Sequence, residues 1–107
     1  MVQRKNKNID IIKKAKKEFQ KKVNIDKLIF FGSRAKGNTP KDSDFDLIVV
    51  SDDFKKVPRH KRAVKLYLAW NKKYPADILC YTKKEIEEKR KQKWGIVREA
   101  INTGIEI

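Results

Sequence analysis

Three aspartates and a glycine–serine pair are the residues of this chain best suited to chemistry. Asp44 and Asp46 stand two apart in Ser43-Asp44-Phe45-Asp46-Leu47, so on an extended strand both carboxylates leave the same face. Side by side they repel each other, and a divalent cation between them relieves the repulsion. Hard oxygen donors of this kind suit magnesium, with manganese as the alternative. Two such ions can activate an attacking oxygen and stabilise a leaving one. Asp77 is the one acidic residue in the otherwise apolar segment 76–81. An unpaired carboxylate there would be costly, so Asp77 is expected to come from a neighbouring strand as a third metal ligand.

The phosphate-handling element is Phe31-Gly32-Ser33-Arg34-Ala35-Lys36-Gly37. A strand that ends in Gly-Ser and turns into a helix exposes backbone N–H groups, which can hold phosphate oxygens together with the Ser33 hydroxyl. Gly32 lets a phosphate approach the backbone closely. Two other motifs fail on inspection. The run from Gly32 to Thr39 nearly matches a P-loop, but Asn38 replaces the lysine that should meet the phosphates. Asp42, Asp44 and Asp46 begin like a calcium-binding EF-hand loop, but Leu47 and Asp53 occupy the positions that need glycine and glutamate.

These residues need a scaffold, and the hydrophobic pattern supplies one. Ile12, Ala15, Phe19 and Val23 recur at helical spacing, predicting a helix over 8–22. Lys27 to Phe31 and Phe45 to Val50 predict buried strands, separated by a loop at Gly37-Asn38-Thr39-Pro40. Residues 58–73 predict one helix that opens at Pro58, with Val64, Tyr67 and Leu68 on its apolar side. A third strand follows over Ala76 to Tyr81. Thr82-Lys83-Lys84-Glu85 has the pattern of a capping box and should open the next helix. Trp94, Val97, Ala100 and Ile101 form a last apolar stripe, Gly104 suits a helix C-cap, and Ile105 to Ile107 suit a short edge strand. The expected fold class is α/β (α+β) in the order α-β-β-α-β-α. It has a small mixed central sheet with helices packed mainly on one face. Residues 1–107 form one domain.

The composition narrows the setting. No apolar run approaches the roughly 20 residues of a membrane helix, and the N-terminus lacks an apolar signal core, so a cytoplasmic protein without membrane contact is expected. Cys80 is the single cysteine and His60 the single histidine. Cys80 lies in an apolar run and reads as a structural thiol, His60 as a solvated helix residue. No zinc site or Cys/His dyad can be built from them. The net charge is +14, and residues 55–73 carry eight lysines and arginines with no acidic residue. Such a field attracts nucleotides, nucleic acid or an acidic protein surface. A lysine-rich solvated surface accounts for it equally well.

Gly32-Ser33, ten intervening residues, then Asp44-Phe45-Asp46 and a later strand aspartate resemble the nucleotidyltransferase superfamily that includes DNA polymerase beta. The short chain and the Gly-Ser-Arg-Ala-x-Gly form resemble its minimal nucleotidyltransferase branch. The resemblance runs from Leu28 to Gly104, and it implies a reaction. Ser33 would bind the β- and γ-phosphates of ATP or a related triphosphate, with Gly32 beside it and Arg34 facing the triphosphate or its leaving group. Asp44, Asp46 and Asp77 would hold two magnesium ions and form the catalytic centre, with Asp77 helping to deprotonate an incoming hydroxyl. That hydroxyl would attack the α-phosphate and expel pyrophosphate. Many members of this branch are antitoxins paired with a helical HEPN ribonuclease toxin, which they inactivate by moving AMP onto a tyrosine.

The acceptor stays open at this point. Transfer to RNA or a small alcohol is the first alternative, and a non-catalytic module that holds nucleotide or RNA is the second. Retention of all three aspartates argues against the second. Enzymes of this superfamily that modify RNA or drugs usually carry further domains to grip the acceptor, so a partner protein is expected to complete the site. Apolar residues on both faces of strand 45–50 allow an oligomer.

Overall fold

Strand β1 (Lys27–Phe31) and strand β2 (Phe45–Val50) are rich in branched and aromatic residues, and each stops where glycine or serine ends the apolar run. They pair antiparallel, with Lys27 opposite Val50 and Phe31 opposite Asp46. Strand β3 (Ala76–Tyr81) joins the other edge of β2 in parallel, and strand β4 (Ile105–Glu106) joins β1 antiparallel. The result is a mixed four-stranded sheet of order β3-β2-β1-β4, the expected fold class. The structure is a computed structural model that describes residues 2–36 and 44–107. The predicted loop over Gly37 to Pro40 lies outside them.

The helices differ from expectation in their distribution. Helix α1 (Val2–Gln20) and the short helices α2 (Arg59–Arg62) and α3 (Val64–Ala69) belong to one layer. Ile12, Phe19 and Leu66 pack there against Leu28, Phe30, Leu47, Val49 and Ile78 of the sheet. Helix α4 (Lys83–Arg90) and helix α5 (Ile96–Thr103) cover the opposite face. They bring Ile86, Val97 and Ala100 against Ile29, Phe31, Ile48 and Val50. Helices therefore lie on both faces, not mainly on one. The central strand β2 explains why: its apolar residues alternate between the two layers, so both faces must be covered. That cover comes from within the chain, so the two-faced apolar pattern of β2 requires no partner copy.

Two other expectations are corrected. The predicted single helix over 58–73 breaks at Ala63, which ends α2 and begins α3. The buried positions are Leu66 and Trp70, whereas Val64, Tyr67 and Leu68 are exposed. Tyr67 has a different use: its hydroxyl accepts a hydrogen bond from the Ile78 N–H at 2.9 Å, which satisfies a backbone donor of the edge strand β3. Trp94 precedes α5 and is 82% exposed. It is separated from the helix by Gly95 in a backbone conformation (φ +134°) that favours glycine.

The capping box is present as expected. The Thr82 hydroxyl accepts from the Glu85 N–H, and the Glu85 carboxylate accepts from the Thr82 N–H. The same carboxylate takes two hydrogen bonds from the buried Arg62 guanidinium, at 2.6 and 3.3 Å. It therefore ties α2 to the start of α4 past the edge of the sheet. Arg62 lowers the Glu85 carboxyl to about 2, outweighing partial burial, and the Thr82 backbone and Arg59 add to the lowering. Gly104 closes α5, where a side chain would collide with the Ala100 carbonyl and with Ile29.

Candidate active site

The sheet brings the two ends of the chemistry together by register. Phe31 is the partner of Asp46 across β1 and β2, and Asp46 is the partner of Asp77 across β2 and β3. Directly paired residues of neighbouring strands project their side chains to the same face. Asp46 and Asp77 thus stand side by side on the α5 face, one step from the place where β1 ends in Gly32. That step needs glycine, for Gly32 has φ +81° and a Cβ on it would run into the Asp46 carboxylate.

A cleft of about 200 Å³ opens at this point. Its floor holds Gly32, Asp46 and Asp77, and α5 forms a wall with Ile96, Glu99, Ala100 and Thr103. Lys36, at the end of the 3-10 turn Ser33–Lys36, lines the cleft as well. Ser33 is exposed at the start of that turn. Asp44 is exposed and precedes β2 by one residue.

The electrostatics mark the aspartates as a unit. Burial pushes the Asp46 carboxyl above its ordinary value, and the negative charges of Asp77 and then Asp44 push it further. Asp77 and Asp44 are therefore each close enough to Asp46 to act on it. Among the described residues, however, no three carboxylate, imidazole or thiol groups are gathered as a metal-ligand cluster. The carboxylates form a pair in one cleft with a third nearby, rather than a closed set.

Arg34 lies elsewhere. Its guanidinium is buried over the Phe45 ring at 4.3 Å and near Tyr74 at 5.6 Å, and it donates to the Asn8 side chain at 3.2 Å. Asn8 returns a hydrogen bond to the Arg34 carbonyl. Arg34, like the exposed Ser33 and Asp44, is not among the residues that line the cleft. Its contacts fasten α1 to the Gly-Ser turn. Sequence reasoning missed Glu99 and Thr103. A signal exists, because Ile96, Glu99, Ala100 and Thr103 follow helical one-face spacing, one face round from the apolar stripe of Trp94, Val97, Ala100 and Ile101.

A mixed sheet here sets paired carboxylates beside a Gly-Ser turn, donors whose chemistry suits a cation and a phosphate. The comparisons give the class. The nucleotidyltransferase domain family matches residues 12–106. A Methanocaldococcus jannaschii protein, provisionally assigned as a protein adenylyltransferase, is 30% identical over 101 residues. That alignment covers 92% of this chain and 97% of the relative. A crystal structure of a Sulfolobus solfataricus protein, provisionally assigned as a nucleotidyltransferase, shares the fold with a TM-score of 0.55. It is 20% identical and covers 81% of this chain and 74% of its own. The chain belongs to the nucleotidyltransferase domain family, and it is a nucleotidyltransferase. No helix among the described residues is long and apolar enough to cross a membrane.

Proposed function

We propose that this domain moves AMP from ATP onto a hydroxyl of a protein acceptor, with divalent metal ions as cofactors. The observation that carries the reading is the pairing of Asp46 with Asp77 beside the Gly32-Ser33 turn. The donor set fits a metal. These are hard oxygen ligands, and burial together with the charges of Asp77 and Asp44 disfavours the charged form of Asp46, a penalty that a bound cation would reverse. Asp46 and Asp77 would hold the ions, with Asp44 as the third donor. When bound, the two magnesium ions would offset the charge of the triphosphate and of the departing pyrophosphate.

The rest falls to the chain itself. The backbone at Gly32 and the Ser33 hydroxyl bind the β- and γ-phosphates, and Lys36 adds a positive charge at the cleft wall. The acceptor hydroxyl gives its proton to the Asp77 carboxylate as its oxygen bonds to the α-phosphorus. The bond from that phosphorus to the bridging oxygen breaks, and pyrophosphate leaves. Phe31, Leu79, Ile96 and Ala100 give the cleft an apolar lining.

A protein acceptor is supported by the relative provisionally assigned as a protein adenylyltransferase, which aligns with almost the whole chain. Within that class we favour a tyrosine of a helical HEPN partner, so that the domain acts as an antitoxin. Incubation with α-labelled ATP, magnesium and candidate partners tests this. Label should pass to the partner with wild type and not with Asp44→Asn or Asp77→Asn. Equal labelling by wild type and the variants would remove the aspartates from the reaction. Substituting the partner's tyrosines one at a time identifies the acceptor.

A further inference from the structure

The carboxylate cleft leaves the basic segment 55–73 unexplained, and that segment helps to build a second cavity. It measures about 320 Å³ and lies between the end of α1, the turn Asp52–Phe54 and helices α2 and α3. It is at the far end of β2 from Asp46, roughly 16 Å along the strand at about 3.3 Å per residue. Val23 and Val57, both half-buried, give it an apolar floor above the buried Phe54, and Lys22, Lys61 and Lys65 stand around it.

Charge decides what such a cavity can take. Arg62 also lines it, but its guanidinium is committed to Glu85, the Val57 carbonyl and the Cys80 carbonyl. Asp53 is the one acidic lining residue, and its carboxylate accepts the Asn24 N–H at 2.8 Å. Lys22, Lys61 and Lys65 are exposed and form no ion pair among the described residues. Three unpaired cations around an apolar floor match a ligand with several phosphates and a flat apolar group between them. Single-stranded nucleic acid has that chemistry, with phosphates for the lysines and bases for the floor. An acidic peptide offers single carboxylate charges and sets a flat group beside them only where its sequence supplies one, whereas every nucleotide carries both a phosphate and a flat base.

We propose that this cavity is a nucleic-acid-binding site, separate from the carboxylate cleft, that takes a segment of single-stranded RNA. Lys22, Lys61 and Lys65 hold consecutive phosphates, and a base rests against Val23 and Val57. The site does not depend on the nucleotidyltransferase reading, because none of its residues lines the cleft.

The test is fluorescence anisotropy of a labelled single-stranded RNA 12-mer with the whole chain. Three proteins are compared: wild type, Lys61→Glu/Lys65→Glu, and Lys13→Glu/Lys84→Glu. The last changes the net charge equally with exposed lysines that line neither cavity. Circular dichroism melts confirm that each protein folds. Wild type should bind with an affinity that falls as salt rises. The Lys61/Lys65 variant should lose at least about tenfold, well beyond the loss of the control pair. Equal losses in both variants would overturn the site, because binding would then follow net charge alone. No binding by wild type would also overturn it. Displacement of the RNA by equimolar phosphate or ATP would assign the cavity to a free phosphate compound and overturn the nucleic-acid assignment. Asp77→Asn should bind the RNA as wild type does, and loss of binding there would place the RNA in the catalytic cleft instead.

Discussion

Gly32 and Asp46 are fitted to each other: the space a side chain would need on Gly32 is filled by the Asp46 carboxylate. The backbone at Gly32 also holds a positive φ of +81°, so the residue is constrained twice, by conformation and by contact. Gly32→Ala should cost roughly 1–3 kcal/mol of stability. It should also displace Asp46 and reduce AMP transfer more than a loss of stability alone explains. Denaturant unfolding and initial transfer rates at a temperature where the variant is fully folded separate the two effects. A variant that folds normally and transfers at the wild-type rate would contradict the fitted contact.

The Arg62–Glu85 pair predicts a pH dependence of stability. The folded-state value of about 2 for Glu85 lies below its ordinary 4.5, so the pair favours the folded state at pH above about 4.5. That contribution is lost as pH falls from there toward about 2. Glu85→Gln should flatten this limb of the stability curve. At pH 7 it should cost on the order of 2 kcal/mol, because it leaves the buried Arg62 without its anion. Urea unfolding of both proteins between pH 2 and 7 checks the slope.

Cys80 should be nearly inert in the folded protein. Burial pushes its thiol up to about 12, and the nearby positive charge of Arg62 offsets this only in part. At pH 8 almost no thiolate is present, and thiolate is the reactive form. A thiol-specific reagent should modify Cys80 slowly in native protein and fast in denaturant. Rapid native modification would place Cys80 in a more open setting than β3 provides.

Arg34 should act as a fastener rather than a ligand of ATP. Arg34→Ala removes the stacking on Phe45 and the hydrogen bond to Asn8. The expected loss is about 2–4 kcal/mol of stability, with the KM for ATP changed little under conditions where the variant remains folded. A large rise in KM with unchanged stability would return Arg34 to the triphosphate.

Much of this was legible in the sequence because local chemistry and the fold agree. Lys27–Phe31, Phe45–Val50 and Ala76–Tyr81 are strands with the expected ends, since each is a short apolar run closed by strong turn residues. The pairing of Asp46 with Asp77 is a matter of register, which no local pattern states, yet a lone aspartate in an apolar strand pointed to it. The residues around 58–73 misled because helical periodicity fits more than one phase. The break at Ala63 selects Leu66 and Trp70 for burial, a choice made by the neighbours Phe19 and Phe45 that Trp70 meets. Arg34 shows the same limit: nothing local announces the aromatic pair beneath it. The cover on the second sheet face came from α4 and α5, whose short apolar stripes name no side.

The most direct test pairs two readings on one substitution, Asp46→Asn. The carboxylate is held against burial and against the charges of Asp77 and Asp44, a strained arrangement that a catalytic site retains at a cost in stability. The substitution should abolish magnesium-dependent transfer of AMP while raising the melting temperature by a few degrees, equivalent to roughly 0.5–2 kcal/mol. Undiminished transfer would show that Asp46 is not part of the catalytic centre. A lower melting temperature would show that the carboxylate serves the fold.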